Sequence, residues 1–331
     1  MTSRLPPVSA SPSLEGASTV FLRDVLHGLG QPNKRLPCKY FYDRAGGELF
    51  ERICQLAEYY PTRCELAILE RYAPAMAEQI GAGVALIEYG SGSSRKTRLL
   101  LDQLRDPVAY LPVDINGEQL QQTVQNLASR YPHLEVHPVE ADFTHPFPLP
   151  GLNRPASRRV VYFSGSTIGN FEPAAVRDLL AHIAGLCGPG GGLLIGVDLK
   201  KNPRLLHAAY NDSLGTTAAF NLNLLARINH ELGADFALDH YDHYAFYNPI
   251  PGRIEMHLLS GTSQTVHVGG TAILLSDGES ICTEYSYKYS LEDCVHLAQA
   301  AGLRVRQVWL DEDRLFSVQY WSVEPEAQAG G

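Results

Sequence analysis

The chain of 331 residues lacks the marks of several large protein classes. No apolar run approaches the roughly 18 residues of a membrane span. The N-terminus shows no long apolar core behind a basic start, so neither a membrane segment nor a secretory signal is expected. The six cysteines, Cys38, Cys54, Cys64, Cys187, Cys282 and Cys294, include no Cys-x-x-Cys spacing. In a chain this long, that predicts reduced thiols in a cytoplasm rather than a disulfide framework. Basic charge is also scarce. A formal charge of −9 argues against a nucleic-acid groove, which needs concentrated Lys and Arg. The densest basic cluster, Arg154, Arg158 and Arg159, reads as a solvated loop. A metal set is missing too: His240 and His243, three apart on an alternating strand, face opposite sides. With 45% hydrophobic and 19% charged residues, a soluble globular protein remains, long enough for one large or two ordinary domains.

What is present is a turn. Residues 84–98 run from a short apolar stretch through an acid into Gly90-Ser91-Gly92 and then a helical segment. Gly90 and Gly92 permit a tight turn and close approach of bare backbone, and the following helix start offers unpaired N–H groups. Arg95 stands where a third glycine of Gly-x-Gly-x-x-Gly would be, and no Gly-Lys-Ser/Thr ending follows. The turn therefore fits either a nucleotide-type ligand or a purely structural strand–helix junction.

From about residue 62 the pattern alternates: helices at 62–80, 95–105, 116–130 and 173–186, strands at 84–89, 108–113, 135–140, 159–164 and 192–198. Apolar strands between amphipathic helices predict an α/β fold with a parallel sheet covered on both faces. The rhythm breaks at a helical stretch over 204–232 and period-two strands within 241–286. A helix at 290–301 precedes two strands, 303–310 and 314–323, whose hairpin would finish the sheet with an antiparallel strand. Asp114 ends the second strand, where a carboxylate accepts from ribose hydroxyls. Asp142 and Phe143 follow the third strand with a polar edge and a ring, and Lys96 opens the helix after the turn, suited to a ligand carboxylate. Without a phosphate loop, these lean toward an adenosyl ligand with an amino-acid tail. A nicotinamide dinucleotide is not excluded.

Several longer stretches carry a resemblance. They are Tyr-Phe-Tyr-Asp-Arg-Ala-Gly-Gly-Glu-Leu-Phe-Glu (40–51), Glu-Tyr-Tyr-Pro-Thr-Arg (58–63) and Glu-Tyr-Gly-Ser-Gly-Ser-Ser-Arg-Lys-Thr (88–97). Phe-Ser-Gly-Ser-Thr-Ile-Gly-Asn-Phe-Glu-Pro (163–173), Ala-Tyr-Asn-Asp (209–212) and Thr-Glu-Tyr-Ser-Tyr-Lys-Tyr (283–289) follow in order. Over about residues 36–323 the chain resembles the histidine-specific, S-adenosylmethionine-dependent Nα-methyltransferases of ergothioneine biosynthesis. The resemblance implies a class I methyltransferase (Rossmann-like) seven-stranded sheet with a second α+β substrate-binding domain. It places the S-adenosylmethionine domain at 61–200 and 287–325, the substrate domain at 19–60 and 201–286, and flexible tails at 1–18 and 324–331. It implies three successive methyl transfers to the α-amine of L-histidine, giving hercynine, with S-adenosylmethionine as the only cofactor and no metal. By the same resemblance Gly90, Lys96, Asp114, Asp142 and Phe143 bind the cofactor. Asn170 and Tyr210 hold the amino-acid end of the substrate, and Glu284 and Ser286 read the imidazole. Tyr59 or Tyr60 contacts substrate and orients the amine, with Tyr59 favoured; Tyr42 is a weaker candidate. The expected partner is a free small molecule, with no nucleic acid and no membrane, and the expected state is a monomer. Another α-amine methyltransferase, for tryptophan, and a non-catalytic adenosyl-binding protein are the alternatives.

Overall fold

Every residue of the strand Val84–Tyr89 and of the strand Gly192–Asp198 is buried, as a parallel sheet covered on both faces requires. The computed structural model describes residues 14–91 and 95–324; Gly92 and the outer parts of both expected tails lie outside the described residues. In chain order the first elements are α1 (Leu14–Leu29), α2 (Arg44–Ile53) and α3 (Tyr60–Ile80). Next come β1 (Val84–Tyr89), α4 (Arg95–Leu101), β2 (Ala109–Asp114), α5 (Gly117–Arg130), β3 (Glu135–Val136), β4 (Val139–Glu140) and β5 (Arg158–Phe163). Then follow α6 (Pro173–Cys187), β6 (Gly192–Asp198), α7 (Pro203–Tyr210), α8 (Thr216–Leu232), β7 (Tyr241–Asn248), β8 (Arg253–Ser260), β9 (Gln264–Val268) and β10 (Thr271–Leu275). The chain closes with β11 (Ser280–Tyr287), α9 (Leu291–Ala300), β12 (Leu303–Leu310) and β13 (Phe316–Val323).

The main sheet has the order β12-β13-β6-β5-β1-β2-β3, with β4 also paired to β2. Strands β6, β5, β1, β2, β3 and β4 are parallel, and β13 joins β6 antiparallel, so the terminal hairpin finishes the sheet as expected. Alternation along β1 divides the core. Ala85, Ile87 and Tyr89 pack with Val161, Phe163 and Ile183 on one face. Val84 and Leu86 pack with Ile68, Tyr162 and Leu194 on the other. Two expectations are corrected. The single strand at 135–140 is two short pieces, because Pro138 has no N–H to continue the ladder. The helix at 204–232 is broken at 211–215: the Asn211 amide bonds the His207 and Ala245 carbonyls, and Gly215 takes a left-handed conformation at φ 69°.

The chain forms two compact units. One comprises residues 1–49, 215–244 and 256–284; the other 50–214, 245–255 and 285–331, which includes the whole main sheet. In the first, Phe41 stacks on Phe220 with ring centroids 4.5 Å apart, and Leu36 N–H donates to the Cys282 carbonyl at 2.8 Å. Strands β9 and β10 form an antiparallel hairpin there. All six cysteines are free. Among the described residues no helix is long and apolar enough to cross a membrane, and no group of three or more His, Cys, Asp or Glu side chains is arranged to hold a metal.

Candidate active site

Parallel strands end together, so the C-terminal ends of β1, β2, β5 and β6 bring Gly90, Asp114, Ser164 and Asp198 to one edge of the sheet, where ligands of such folds gather. Gly90 leaves β1 at φ 72°, its N–H donating to the Val113 carbonyl at 2.9 Å; a Cβ on it would meet nothing within 4 Å among the described residues. Backbone N–H groups of Asn116, Ile115 and Ser91 reach the Asp114 carboxylate. Burial nonetheless pushes that carboxyl above its usual range. The Ser91 hydroxyl is buried and, among the described residues, has no hydrogen-bond partner. A buried, unmatched hydroxyl beside an open glycine fits a polar ligand at this turn.

Lys96 is ion-paired with Glu65, a buried carboxylate that also accepts from the Gly165 N–H at 3.0 Å. Phe143 is stacked on Tyr89, with centroids 4.9 Å apart and planes 17° from parallel, and stands edge-on to Phe163. Asp142 accepts from the Thr144 N–H at 3.0 Å, which shapes the loop after β4. Beneath the turn, Thr97 and Tyr110 donate to the buried Glu88 carboxylate. Burial raises that group to about 7, against those hydrogen bonds.

A second polar group lies in the same unit. Asp198, buried at the end of β6, accepts from the Tyr60 hydroxyl at 2.9 Å, from Lys201, and from Lys288 at 2.8 Å. Lys288 also donates to Ser286 Oγ at 2.7 Å and to Tyr210 OH at 3.1 Å, and Tyr210 OH donates to Ser286 Oγ at 2.8 Å. Backbone pairing builds this cluster: Tyr289 N–H donates to the Asp198 carbonyl and Lys200 N–H to the Tyr289 carbonyl. Gly169 lets the turn at 167–170 close on β11, since a Cβ there would stand 2.7 Å from the Tyr287 carbonyl. Asn170 then donates to the Tyr285 carbonyl at 2.8 Å. Burial alone would raise Asp198, but Lys288 and Lys201 outweigh it and hold the carboxyl below its usual range. Burial likewise opposes the charge on Lys288, and Asp198 holds it above the ordinary lysine value. One carboxylate thus faces two ammonium groups, an excess of positive charge suited to an anionic ligand group.

Tyr59 and Tyr60 stand in different surroundings. The Tyr60 hydroxyl donates to Asp198 and accepts from Lys201 at 2.7 Å, and burial with the neighbouring carboxylate raises it well above the usual phenol range. Tyr59 caps α3 and meets the Tyr210 ring edge-on at 6.2 Å. Of the expected substrate residues, Tyr59, Tyr60, Asn170, Tyr210 and Ser286 lie in the unit that contains the main sheet, as do all five expected cofactor residues. Glu284 precedes Ser286 by two on β11, hence on the same strand face, and belongs to the other unit, as does Tyr42, which stands edge-on to Phe220. Asp198, Lys201 and Lys288 were not anticipated. Only the alternation of Glu284 and Ser286 on β11, continued one residue past its end to Lys288, signalled the last of them.

A family model described as "Histidine-specific methyltransferase, SAM-dependent" matches residues 21–323. The chain is 41% identical over 303 residues to the histidine N-alpha-methyltransferase of Mycolicibacterium smegmatis, covering 90% of this chain and 93% of that one. It is 40% identical over 296 residues to the histidine N-alpha-methyltransferase of Mycobacterium tuberculosis, covering 88% and 91%. Ergothioneine biosynthesis protein 1 of Neurospora crassa is 32% identical over 296 residues, with 83% of this chain matching 32% of that protein.

Proposed function

The chain belongs to the S-adenosylmethionine-dependent, histidine-specific methyltransferase family, and from that premise we propose that it adds three methyl groups in succession to the α-amine of L-histidine, giving hercynine for ergothioneine biosynthesis. Its fold is that of a class I methyltransferase. S-adenosylmethionine supplies a sulfonium whose methyl carbon is electrophilic, so the chain's own task is to present a neutral amine in line with it. Gly90, Lys96, Asp114, Asp142 and Phe143 hold the cofactor in this reading. The open face of Gly90 and the unmatched Ser91 hydroxyl support it. Asp114 takes the ribose hydroxyls. Lys96, with Glu65 as its standing counter-ion, serves the amino-acid end.

The buried arrangement of Tyr210, Ser286, Lys288 and Asp198 carries the substrate assignment. Asn170 donates to the carboxylate of histidine in this reading, favoured by the positive excess beside it, and Tyr210, whose single hydroxyl hydrogen goes to Ser286, borders that carboxylate with its ring. Glu284 and Ser286 read the imidazole, the one accepting a ring N–H and the other meeting the second nitrogen. Tyr59 orients the amine and passes its proton toward water. Tyr60 braces Asp198, because its hydroxyl is already committed on both sides. The six free thiols support a reducing, cytoplasmic setting.

Initial rates with L-histidine, L-tryptophan and L-phenylalanine test the assignment, in the wild type and in Glu284→Ala. Histidine is expected to dominate kcat/KM, because the other rings leave polar groups of the site unmatched. Removing a charged hydrogen bond is expected to raise the histidine KM by about 10- to 150-fold, with cofactor affinity held within about twofold. A wild type that prefers tryptophan, or a variant with unchanged histidine KM, overturns it.

A further inference from the structure

We propose that Lys288 is a positioning residue that fixes the direction of the Ser286 hydrogen bond, so that the site takes the substrate's imidazole only with one ring nitrogen unprotonated. The inference rests on the histidine reading above and goes beyond it to the protonation state of the bound ring. A lysine ammonium has three donors and no acceptor. In Lys288, which is fully buried, all three are accounted for: Asp198 Oδ2 at 2.8 Å, Ser286 Oγ at 2.7 Å and Tyr210 OH at 3.1 Å. Asp198 anchors the ammonium from behind, and Tyr60 and Lys201 hold Asp198 in turn.

Ser286 has one hydrogen and two lone pairs to offer. Lys288 fills one lone pair, and Tyr210, donating at 2.8 Å, fills the other. Between these two hydroxyls the phenol is the donor, being the more acidic, and the serine oxygen the better acceptor. Among its described contacts the Ser286 hydroxyl receives two hydrogen bonds and gives none. Its remaining capacity is therefore its own O–H, and a donor needs a bare lone pair. Neutral imidazole has one such nitrogen; imidazolium carries N–H on both and has none. The ring then enters neutral, with its single N–H left for the Glu284 carboxylate on the same strand face. Without Lys288 the serine regains a lone pair and rotates to accept, and a site with Glu284 beside it tolerates the cation.

The titratable groups around Lys288 are Tyr60 on α3, Asp198 at the end of β6, Lys201 three residues further on, and Tyr210 on α7. Only Lys288 changes in a Lys288→Met variant, so a difference in pH profile is read against a constant background. The test is calorimetric binding of L-histidine to the full chain saturated with S-adenosylhomocysteine, from pH 5 to 8.5. In the wild type the slope of log Kd against pH is expected to steepen by about one unit below the ring's ordinary pKa of about 6.5. In Lys288→Met histidine binds about tenfold more weakly at pH 8, and the steepening is absent.

Should that variant fail to fold, Lys288→Met/Asp198→Asn/Lys201→Met removes all three charges of the cluster together, which a buried ionic group tolerates better than loss of one partner. The same loss of steepening is expected. A variant whose acid limb runs parallel to the wild type overturns the proposal, and so does a wild type without the steepening. A wild type that binds no histidine at any pH instead overturns the histidine reading, and the proposal with it.

Discussion

Replacing Asp198 by Asn leaves the buried Lys288 without its counter-ion and Lys201 with half of its contacts. The carboxylate accepts from Tyr60 at 2.9 Å, from Lys288 at 2.8 Å and from Lys201, all at a position 1% exposed. Asn matches the shape and keeps one acceptor, but its amide hydrogens face ammonium groups. Removing one partner of a buried pair costs about 3–5 kcal/mol, because the remaining charge stays out of water. At about 2–4 °C per kcal/mol for a domain of this size, the thermal midpoint is expected to fall by roughly 6–20 °C. The pH dependence has a definite sign. Lys288 is held above its ordinary value of 10.5, so the pair's contribution is complete below that pH and fades as pH rises through the folded value. The variant's deficit therefore narrows in strong alkali. Histidine affinity is expected to fall about tenfold or more, since Lys288 no longer holds Tyr210 and Ser286. S-adenosylhomocysteine affinity stays within about threefold, because among the described residues no hydrogen bond or ion pair joins Gly90 or Asp114 to the cluster. Calorimetric melting and two binding titrations measure all of this. A midpoint within about 2 °C of wild type, with histidine affinity kept, refutes the role given to the cluster.

Tyr60→Phe removes a hydroxyl that donates to a carboxylate and is expected to cost about 1.5–3 kcal/mol of stability while turnover stays within about threefold. Tyr59→Phe is expected to leave stability intact and slow methylation about tenfold or more; urea titration with single-turnover kinetics separates the two, and the opposite pattern reverses their roles. Asp114→Ala is expected to weaken S-adenosylmethionine binding about tenfold or more by calorimetry, and unchanged affinity removes the ribose assignment. Glu88, raised by burial to about 7 from 4.5, binds more protons folded than unfolded between those values, so wild-type stability falls as pH rises across that window. The loss is on the order of 3 kcal/mol. Glu88→Gln is expected to flatten this slope in urea midpoints from pH 4.5 to 8, and parallel curves contradict it.

Much of the sheet was legible because its signals are local. An apolar run ending in glycine marks β1 and its turn, and the paired strands after 301 mark the closing hairpin. The split at Pro138 and the break at 211–215 were equally local but lay inside segments whose hydrophobic pattern ran through them. The polar cluster is different in kind. Tyr60, Asp198, Lys201, Tyr210, Ser286 and Lys288 come from four separate stretches of chain, and only tertiary pairing, such as Tyr289 on Asp198, brings them together. No periodicity distinguishes Asp198 from any acid at a strand end. The choice between Tyr59 and Tyr60 had the same obstacle: adjacent identical residues carry no local sign of which hydroxyl a buried carboxylate will take.

Mass spectrometry of L-histidine incubated with the chain and S-adenosylmethionine tests the central claim most directly, with fragmentation to locate the added groups. Products carrying one, two and then three methyl groups, all on the α-nitrogen, are the expected result. Methyl groups on the imidazole ring, or no methylated histidine at all, would contradict it.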